Sequence, residues 1–278
     1  MKAKAIIKLI RPHNCVLAGI GVLIGGIIAV GGIPPSEIGF AFVAAFFIAA
    51  GGNAVNDYAD REVDAVNNPE RPIPSGEISP YDALFSSRIL FAVGIIYGAL
   101  TWRVSCLVLA VINSALLSYY SRRLKKKGLI GNVTISYLVG STFLFGSLAV
   151  GRFETVGIMA AMAAFATAGR ELVKDIEDVR GDKESGSESF PLKHGKKQAA
   201  GLAIIFTMVA ISLTPLPYVF DIFGNLYLYI VTVPVLFFVM GMGIIGKGQD
   251  KKAASRASLA YKAGMGLGLF AFLLGSFL

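Results

Sequence analysis

The sequence has 278 residues, of which 55% are hydrophobic and only 16% are charged. An ordinary soluble domain has roughly 25% charged residues, and the mean hydropathy of this chain is +0.66. Several apolar stretches approach the roughly 20 residues that cross a bilayer. The composition therefore excludes a soluble domain and predicts an all-α polytopic membrane protein.

The formal net charge of +8 does not indicate a nucleic-acid partner. The basic residues gather in short segments between apolar stretches, as membrane orientation requires. Cys15 and Cys106 both lie in or beside apolar stretches, so a disulfide framework has no support.

The chain begins with an amphipathic basic leader, residues 1–13, and continues into apolar stretches. The first stretch, 14–33, is too long for the apolar region of a cleaved signal peptide, so we predict a spanning helix there. Eight more spans follow, which makes about nine: 38–55, 83–101, 104–120, 131–150, 154–173, 198–217, 224–246 and 259–278.

The distribution of Lys and Arg predicts which side of the membrane each loop faces. The long loops are 56–82, 121–130, 174–197 and 247–258. Only Arg103 and Arg152, among the 26 basic residues, fall on the opposite side. The positive-inside rule therefore places the N-terminus and the long loops in the cytoplasm and the C-terminus outside.

A stripe of carboxylates follows the second predicted span. Asp57, Asp60 and Asp64 stand at i, i+3 and i+7, so a helix places them within about 60° of one another. Asn53 lies four residues before Asp57 and joins this stripe. Such a concentration of like charge beside lipid needs a cation or a water-filled cavity.

The same spacing recurs in Asp175, Asp178 and Asp182, again after an apolar stretch, with Glu171 four residues before the first aspartate. The repetition indicates one membrane domain, 1–278, with a weak internal repeat of about 1–130 and 131–278. Carboxylates without nearby His or Cys favour a hard cation, most often Mg²⁺ holding a phosphate-containing substrate.

These residues resemble a known family. Asn56-Asp57-x-x-Asp60-x-x-x-Asp64, followed by Arg71-Pro72 and Pro74-x-Gly76, is similar to the first signature of the UbiA superfamily of intramembrane prenyltransferases. Lys174-Asp175-x-x-Asp178-x-x-x-Asp182 is similar to the second. The resemblance implies a helical bundle around a central cavity, in which Mg²⁺ bridges the aspartates and an isoprenyl diphosphate. We expect the long loops to cap this cavity.

The resemblance and the charge pattern together assign candidate roles. The candidate metal ligands are Asp57, Asp60, Asp64, Asp175, Asp178 and Asp182. The candidate catalytic residues are Asp57, Asp60, Lys174, Asp175 and Asp178. The candidate substrate-binding residues are Asn14, Asn53, Asn56, Arg71, Tyr119, Arg122, Lys125, Lys126, Asn132, Arg170 and Glu171. Helix capping would equally explain Asn14 and Asn132, and a place at the membrane interface would explain Tyr119.

Two features bear on the acceptor. Arg170-Glu171 and Arg11-Pro12-His13-Asn14 make the chain most similar to the archaeal lipid branch of the family. This resemblance implies transfer of a geranylgeranyl group from its diphosphate to the hydroxyl of geranylgeranylglyceryl phosphate, with formation of an ether bond. The basic loop 122–127 could meet the acceptor phosphate, although membrane orientation alone also explains a basic loop.

Three alternatives remain open from the sequence. An aromatic quinone precursor could be the acceptor instead of a lipid. A membrane CDP-alcohol phosphotransferase also uses aspartates and Mg²⁺, but it would show an Asp-Gly pair followed by Ala-Arg, which neither stripe has. A transporter would place its charged site near the membrane midplane. No general base is evident.

Overall fold

The computed structural model describes residues 2–153 and 156–277, and these residues form helices and connecting turns without a strand. We number the α-helices in chain order. They are α1 Lys2–Ile10, α2 Pro12–Val30, α3 Glu37–Asn67, α4 Pro80–Ala99, α5 Val104–Tyr119, α6 Leu129–Ala149, α7 Gly157–Glu184, α8 Phe190–His194, α9 Lys196–Ser212, α10 Leu216–Val219, α11 Asn225–Lys247 and α12 Lys251–Gly275. A π-helix, Tyr120–Leu124, continues directly from α5.

Eight helices in the described part of the chain are long and apolar enough to cross a membrane by length and composition. This confirms the all-α polytopic class. The predicted sixth span, 154–173, begins outside the described residues, and the rest of it lies on α7, which is not among the eight. The C-terminal half of α7 is rich in charged residues, which lowers its hydropathy. The count of nine spans stays a prediction.

Two of the predicted long loops begin as continuations of helices. α3 continues from the second span through the first acidic stripe to Asn67, and α7 continues through the second stripe to Glu184. The prediction of a loop over 247–258 is wrong, because α12 already begins at Lys251. Asp250 caps this helix by accepting hydrogen bonds from the backbone N–H groups of Lys252 and Ala253.

Close packing of α2 against α6 joins the two predicted halves of the chain. A Cβ atom on Gly146 of α6 would overlap the carbonyl oxygen of Val22, and a Cβ on Gly25 of α2 would overlap the carbonyl oxygen of Phe143. Small residues let helix backbones approach this closely inside a membrane. α2 also packs against α3 and α12, and α7 packs against α6, α9 and α12.

The N-terminal helix α1 covers the end of α3. Ala5 and Leu9 are buried against Ala54 of α3 and against Ile73 and Ile78 of the loop that follows it. The chain then reverses at Arg11, whose φ of 49° lies in the left-handed region. Pro12 begins α2 directly afterwards, where its missing N–H costs no helical hydrogen bond.

Candidate active site

A cavity of about 580 Å³ lies where α3 and α7 end on the same face of the bundle. Asp60 and Asp64 of α3 line it together with Asp182 of α7, and the basic residues around it are Arg71, Lys125 and Lys126. Carboxylates from the two acidic stripes, which are far apart in sequence, therefore face one cavity.

Each carboxylate of the first stripe contacts a basic side chain. Arg11 pairs with Asp57, whose side chain is only 3% exposed. Arg71 pairs with Asp64, and its Nη1 lies 3.6 Å from Oδ1 of Asp57. Lys125 pairs with Asp60. Because a buried charge is costly unless it is paired, these cations balance the charge of the stripe.

The asparagines near this stripe have different partners. Asn56 donates a hydrogen bond from Nδ2 to Asp60 at 3.0 Å and accepts one from Lys125 at 3.3 Å. Asn53 instead donates to the carbonyl oxygen of Ile10 at 2.7 Å, so it ties α3 to the end of α1. Asn56 thus contacts the charged groups of the site, whereas Asn53 positions the elements that form it.

The second stripe is held from α6. Asn132, at the start of α6, donates a hydrogen bond to Asp175 at 2.8 Å. Arg170 pairs with Glu171 in a partly buried position, and Nε of Arg170 has no hydrogen-bond partner among the described residues. The side chains of Lys174 and Asp178 are exposed and form no ion pair with any described residue. The second stripe is therefore less neutralised than the first.

Contacts between two loops cover one side of the cavity. We call these contacts, between residues 125–128 and 185–193, the loop clasp. The backbone N–H of Glu188 donates to the carbonyl oxygen of Lys126 at 2.8 Å, and Nζ of Lys126 donates to the carbonyl oxygen of Ser185 at 3.2 Å. Lys193 donates to Glu188 and, with the charge of Lys127, holds the pKa of Glu188 below its ordinary value. Glu188 is therefore ionised at neutral pH.

Tyr120, at the start of the π-helix after α5, faces the site, whereas Tyr119 does not. The N–H of Lys125 bonds to the carbonyl oxygen of Tyr120 at 2.9 Å, which inserts an extra residue into the turn. Tyr119, the last residue of α5, is 56% exposed, whereas Tyr120 is partly buried in the field of Glu171, Asp175 and Asp60. The prediction that Tyr119 faces the site is not supported by this geometry, and Tyr120 occupies the expected place.

The structure groups most, but not all, of the predicted residues. Asn14, Tyr119 and Arg122 are exposed, and their side chains form no hydrogen bond with any described residue. Sequence reasoning also missed Arg11 as a residue of the site. The signal in the sequence was Pro12, because proline favours the first turn of a helix and Arg11 is therefore expected at the N-terminal end of α2.

The donor set suits a hard cation, although within residues 2–153 and 156–277 no three His, Cys, Asp or Glu side chains converge as a metal site. Arg11, Arg71 and Lys125 contact the carboxylates of the first stripe, so positive charge is already favoured at these positions. Carboxylate oxygens are the ligands that Mg²⁺ takes. The residues present therefore fit a magnesium ion.

A second cavity, of about 650 Å³, lies deeper in the bundle and is lined by apolar side chains from five helices, α6, α7, α9, α11 and α12. Val139, which lines it, lies seven residues after Asn132 on the same face of α6. At a rise of about 1.5 Å per residue, the apolar cavity therefore begins about 10 Å along α6 from Asn132, the partner of Asp175.

Comparisons with known proteins give one family. A sequence profile of the "UbiA prenyltransferase family" matches residues 18–274. The chain is 42% identical over 271 residues to a digeranylgeranylglyceryl phosphate synthase of Methanopyrus kandleri, covering 97% of this chain and 98% of that protein. A protein of the same name from Methanothermobacter thermautotrophicus is 40% identical over 270 residues, with 97% and 95% covered.

Solved structures agree. One described as a digeranylgeranylglyceryl phosphate synthase in membranes superposes with a TM-score of 0.88 at 37% identity, covering 99% of both chains. A UbiA homologue from Archaeoglobus fulgidus bound to DMAPP and Mg²⁺ superposes with a TM-score of 0.68 at 18% identity, covering 97% and 99%. This second likeness concerns the fold alone.

Proposed function

Because the chain belongs to the UbiA prenyltransferase family, we propose that it is a Mg²⁺-dependent digeranylgeranylglyceryl phosphate synthase. It transfers a geranylgeranyl group from its diphosphate to the hydroxyl of geranylgeranylglyceryl phosphate, in the synthesis of archaeal ether lipids. The main support is the cavity that aspartates of α3 and α7 line together beside three cations. The high identity to synthases over nearly the full chain supports the choice of acceptor.

The two cavities match the two ends of the donor. A prenyl diphosphate has an anionic head and an apolar chain, and the head fits the charged cavity while the chain fits the apolar one. Asp57, Asp60, Asp64, Asp175, Asp178 and Asp182 would hold Mg²⁺. When bound, Mg²⁺ neutralises the diphosphate and stabilises the charge of the leaving pyrophosphate.

The basic side chains that pair with the first stripe also have a role in substrate binding. With the carboxylates engaged by Mg²⁺, Arg71 and Lys125 would be available to donate charge-assisted hydrogen bonds to the diphosphate. Arg11 lies at the same carboxylates and is available to either phosphorylated substrate. The side chains thus bind and orient the head group before the bond to carbon breaks.

At C1 of the prenyl group, the reaction breaks one C–O bond and forms another, and one proton is transferred. The bond from C1 of the prenyl group to the diphosphate oxygen breaks, and the electron pair leaves with pyrophosphate. The acceptor hydroxyl oxygen bonds to C1, and its proton passes to pyrophosphate, a carboxylate or water. The loop clasp keeps bulk water from the allylic cation.

The positive charge of the loops supports a cytoplasmic site, with the N-terminus inside and the C-terminus outside. Glu184→Cys reports the loop side and Asn225→Cys the opposite side, since Cys15 and Cys106 are buried. A membrane-impermeant maleimide should label Asn225→Cys in intact cells and Glu184→Cys only in inverted vesicles. The reverse pattern would contradict this orientation.

The function is tested with purified protein and labelled geranylgeranyl diphosphate. With Mg²⁺ and geranylgeranylglyceryl phosphate we expect release of pyrophosphate and an ether product by mass spectrometry, and no turnover with EDTA. Product with 4-hydroxybenzoate but not with the lipid would assign the aromatic alternative. Release of CMP from a CDP-lipid would overturn prenyl transfer.

A further inference from the structure

We propose that the apolar cavity limits the length of the donor chain, and that Gly268 and Phe272 of α12 set the longest isoprenoid chain that fits. This inference rests on the proposed function and extends it to the residues that determine chain length.

The cavity lies where the far end of a donor chain would be. On α6, Asn132, which holds Asp175, shares a helix face with the lining residues Val139 and Phe143, which lie about 10 and about 16 Å further along the helix. On α12, Lys251 lies near Asp178, so this helix runs from the acidic site towards Gly268 and Phe272. A chain whose diphosphate is held at the aspartates therefore reaches this cavity with its last isoprene units.

The lining suits a hydrocarbon and offers nothing to a polar group. Thr214, in the turn after α9, is the polar residue among the lining side chains, and its hydroxyl already donates to the carbonyl oxygen of Ile211 at 2.7 Å. An isoprenoid chain is thus the class of ligand that the cavity fits.

Two aromatic rings close the far end. Phe143 of α6 and Phe272 of α12 meet edge to face, with ring centroids 6.0 Å apart and an interplanar angle of 82°. Both are almost fully buried, at 1% and 5% exposure. Because packed aromatic rings leave little free volume, a chain that reaches this pair cannot extend further.

Gly268 widens the cavity before this floor. It lines the cavity, and a Cβ added there would meet no atom within 4 Å. A leucine at this position would therefore project into the space that the last isoprene units need. Gly266 provides a matched control, because it is exposed, also has free space around its Cβ position, and lies about 200° away around α12.

The experiment compares kcat/KM for geranyl, farnesyl, geranylgeranyl and geranylfarnesyl diphosphate. Gly268→Leu should lower the ratio of geranylgeranyl to geranyl turnover by about tenfold or more, whereas Gly266→Leu should leave it unchanged. Activity retained with geranyl diphosphate would show that the variant is folded. Phe272→Ala should raise the relative activity with geranylfarnesyl diphosphate by about tenfold.

An unchanged donor ratio in both Gly268→Leu and Phe272→Ala would overturn the proposal, while turnover by the wild type would leave the proposed function intact. If Gly268→Leu is inactive with every donor, Phe272→Ala decides alone. If the wild type turns over no acceptor, the proposed function fails, and the cavity is then judged by Mg²⁺-dependent calorimetric binding of geranylgeranyl and geranyl thiolodiphosphate to the same variants.

Discussion

Asp57 is the carboxylate on which the charge balance of the site depends most. It is almost fully buried, and two guanidinium groups, from Arg11 and Arg71, lie against it. Removing this carboxylate leaves Arg11 without its partner and Arg71 with Asp64 alone, and it also removes a proposed ligand of the metal. The consequence can be measured as activity.

Asp57→Ala should lower turnover by more than about 100-fold, because stabilisation of the pyrophosphate leaving group is lost. The measurement is pyrophosphate release with geranylgeranyl diphosphate and Mg²⁺. Glu62→Ala is the matched control, since this carboxylate lies on the same helix but its side chain is 83% exposed. Near-normal activity of Asp57→Ala in a membrane-inserted protein would contradict the metal assignment.

The three lysines at 125–127 differ in their contacts and should differ in effect. Lys125 contacts Asp60 and Asn56 in the cavity, whereas Lys127 lies 3.5 Å from Glu188 in the loop clasp. Lys125→Ala should therefore raise the KM of a phosphorylated substrate by about tenfold, and Lys127→Ala should leave KM within about twofold.

Separate titration of the two substrates assigns the role of these lysines. A larger effect of the combined changes at 125–127 on the acceptor than on the donor would place the acceptor phosphate at this loop. An equal effect on both substrates would leave the basic loop as a signal for membrane orientation only.

The segment between α5 and α6 positions Lys125 beside Asp60 and also forms one half of the loop clasp. Its π-helix begins at Tyr120 and ends just before Lys125, and both side chains lie near the carboxylates of the stripes. The end of the segment contacts the loop after α7. Gly128 ends this segment with φ of 57° and ψ of −122°, a conformation that residues with a Cβ rarely adopt. A Cβ there would also overlap the carbonyl oxygen of Glu188.

Gly128→Ala should lower the free energy of unfolding by about 1–3 kcal/mol and should also reduce turnover, because the loop clasp must shift. Thermal unfolding in detergent and pyrophosphate release measure the two effects. Gly201→Ala of α9, where a Cβ meets no atom, is the control and should be neutral or slightly stabilising. Equal behaviour of the two variants would show that the clasp tolerates this change.

The molecule as a whole depends on the contact between α2 and α6, because this contact joins elements from both predicted halves. Asp60 and Asp64 come from the first half and Asp182 from the second, so a shift between the halves changes the cavity that they line. The internal repeat itself stays a prediction. The backbone approach at Gly146 is what sets the distance between these helices.

Gly146→Ala should therefore destabilise the protein by about 1–3 kcal/mol through overpacking and lower activity without touching the site. The control is Gly39→Ala on α3, an exposed position with free space. The midpoint of thermal unfolding should fall only for Gly146→Ala. An unchanged midpoint would mean that α2 and α6 separate at little cost.

The sequence by itself determined the class of protein and the acidic stripes. Apolar stretches of membrane length and carboxylates at i, i+3 and i+7 are local properties, and a helix converts such spacing into a shared face without help from the rest of the chain. Arg71 and Asn132, predicted from the sequence to bind substrate, contact Asp64 and Asp175 of the two stripes, and their role in substrate binding stays a prediction.

Only the tertiary structure decided the partners that come from distant elements. The choice of Tyr120 over Tyr119 depends on how α5 is rotated against its neighbours, and the contact of Arg11 with Asp57 depends on the packing of α1 over α3. The apolar cavity is formed by five helices whose mutual distances follow from side-chain packing. Packing depends on all neighbours at once, so no local pattern in the sequence reveals it.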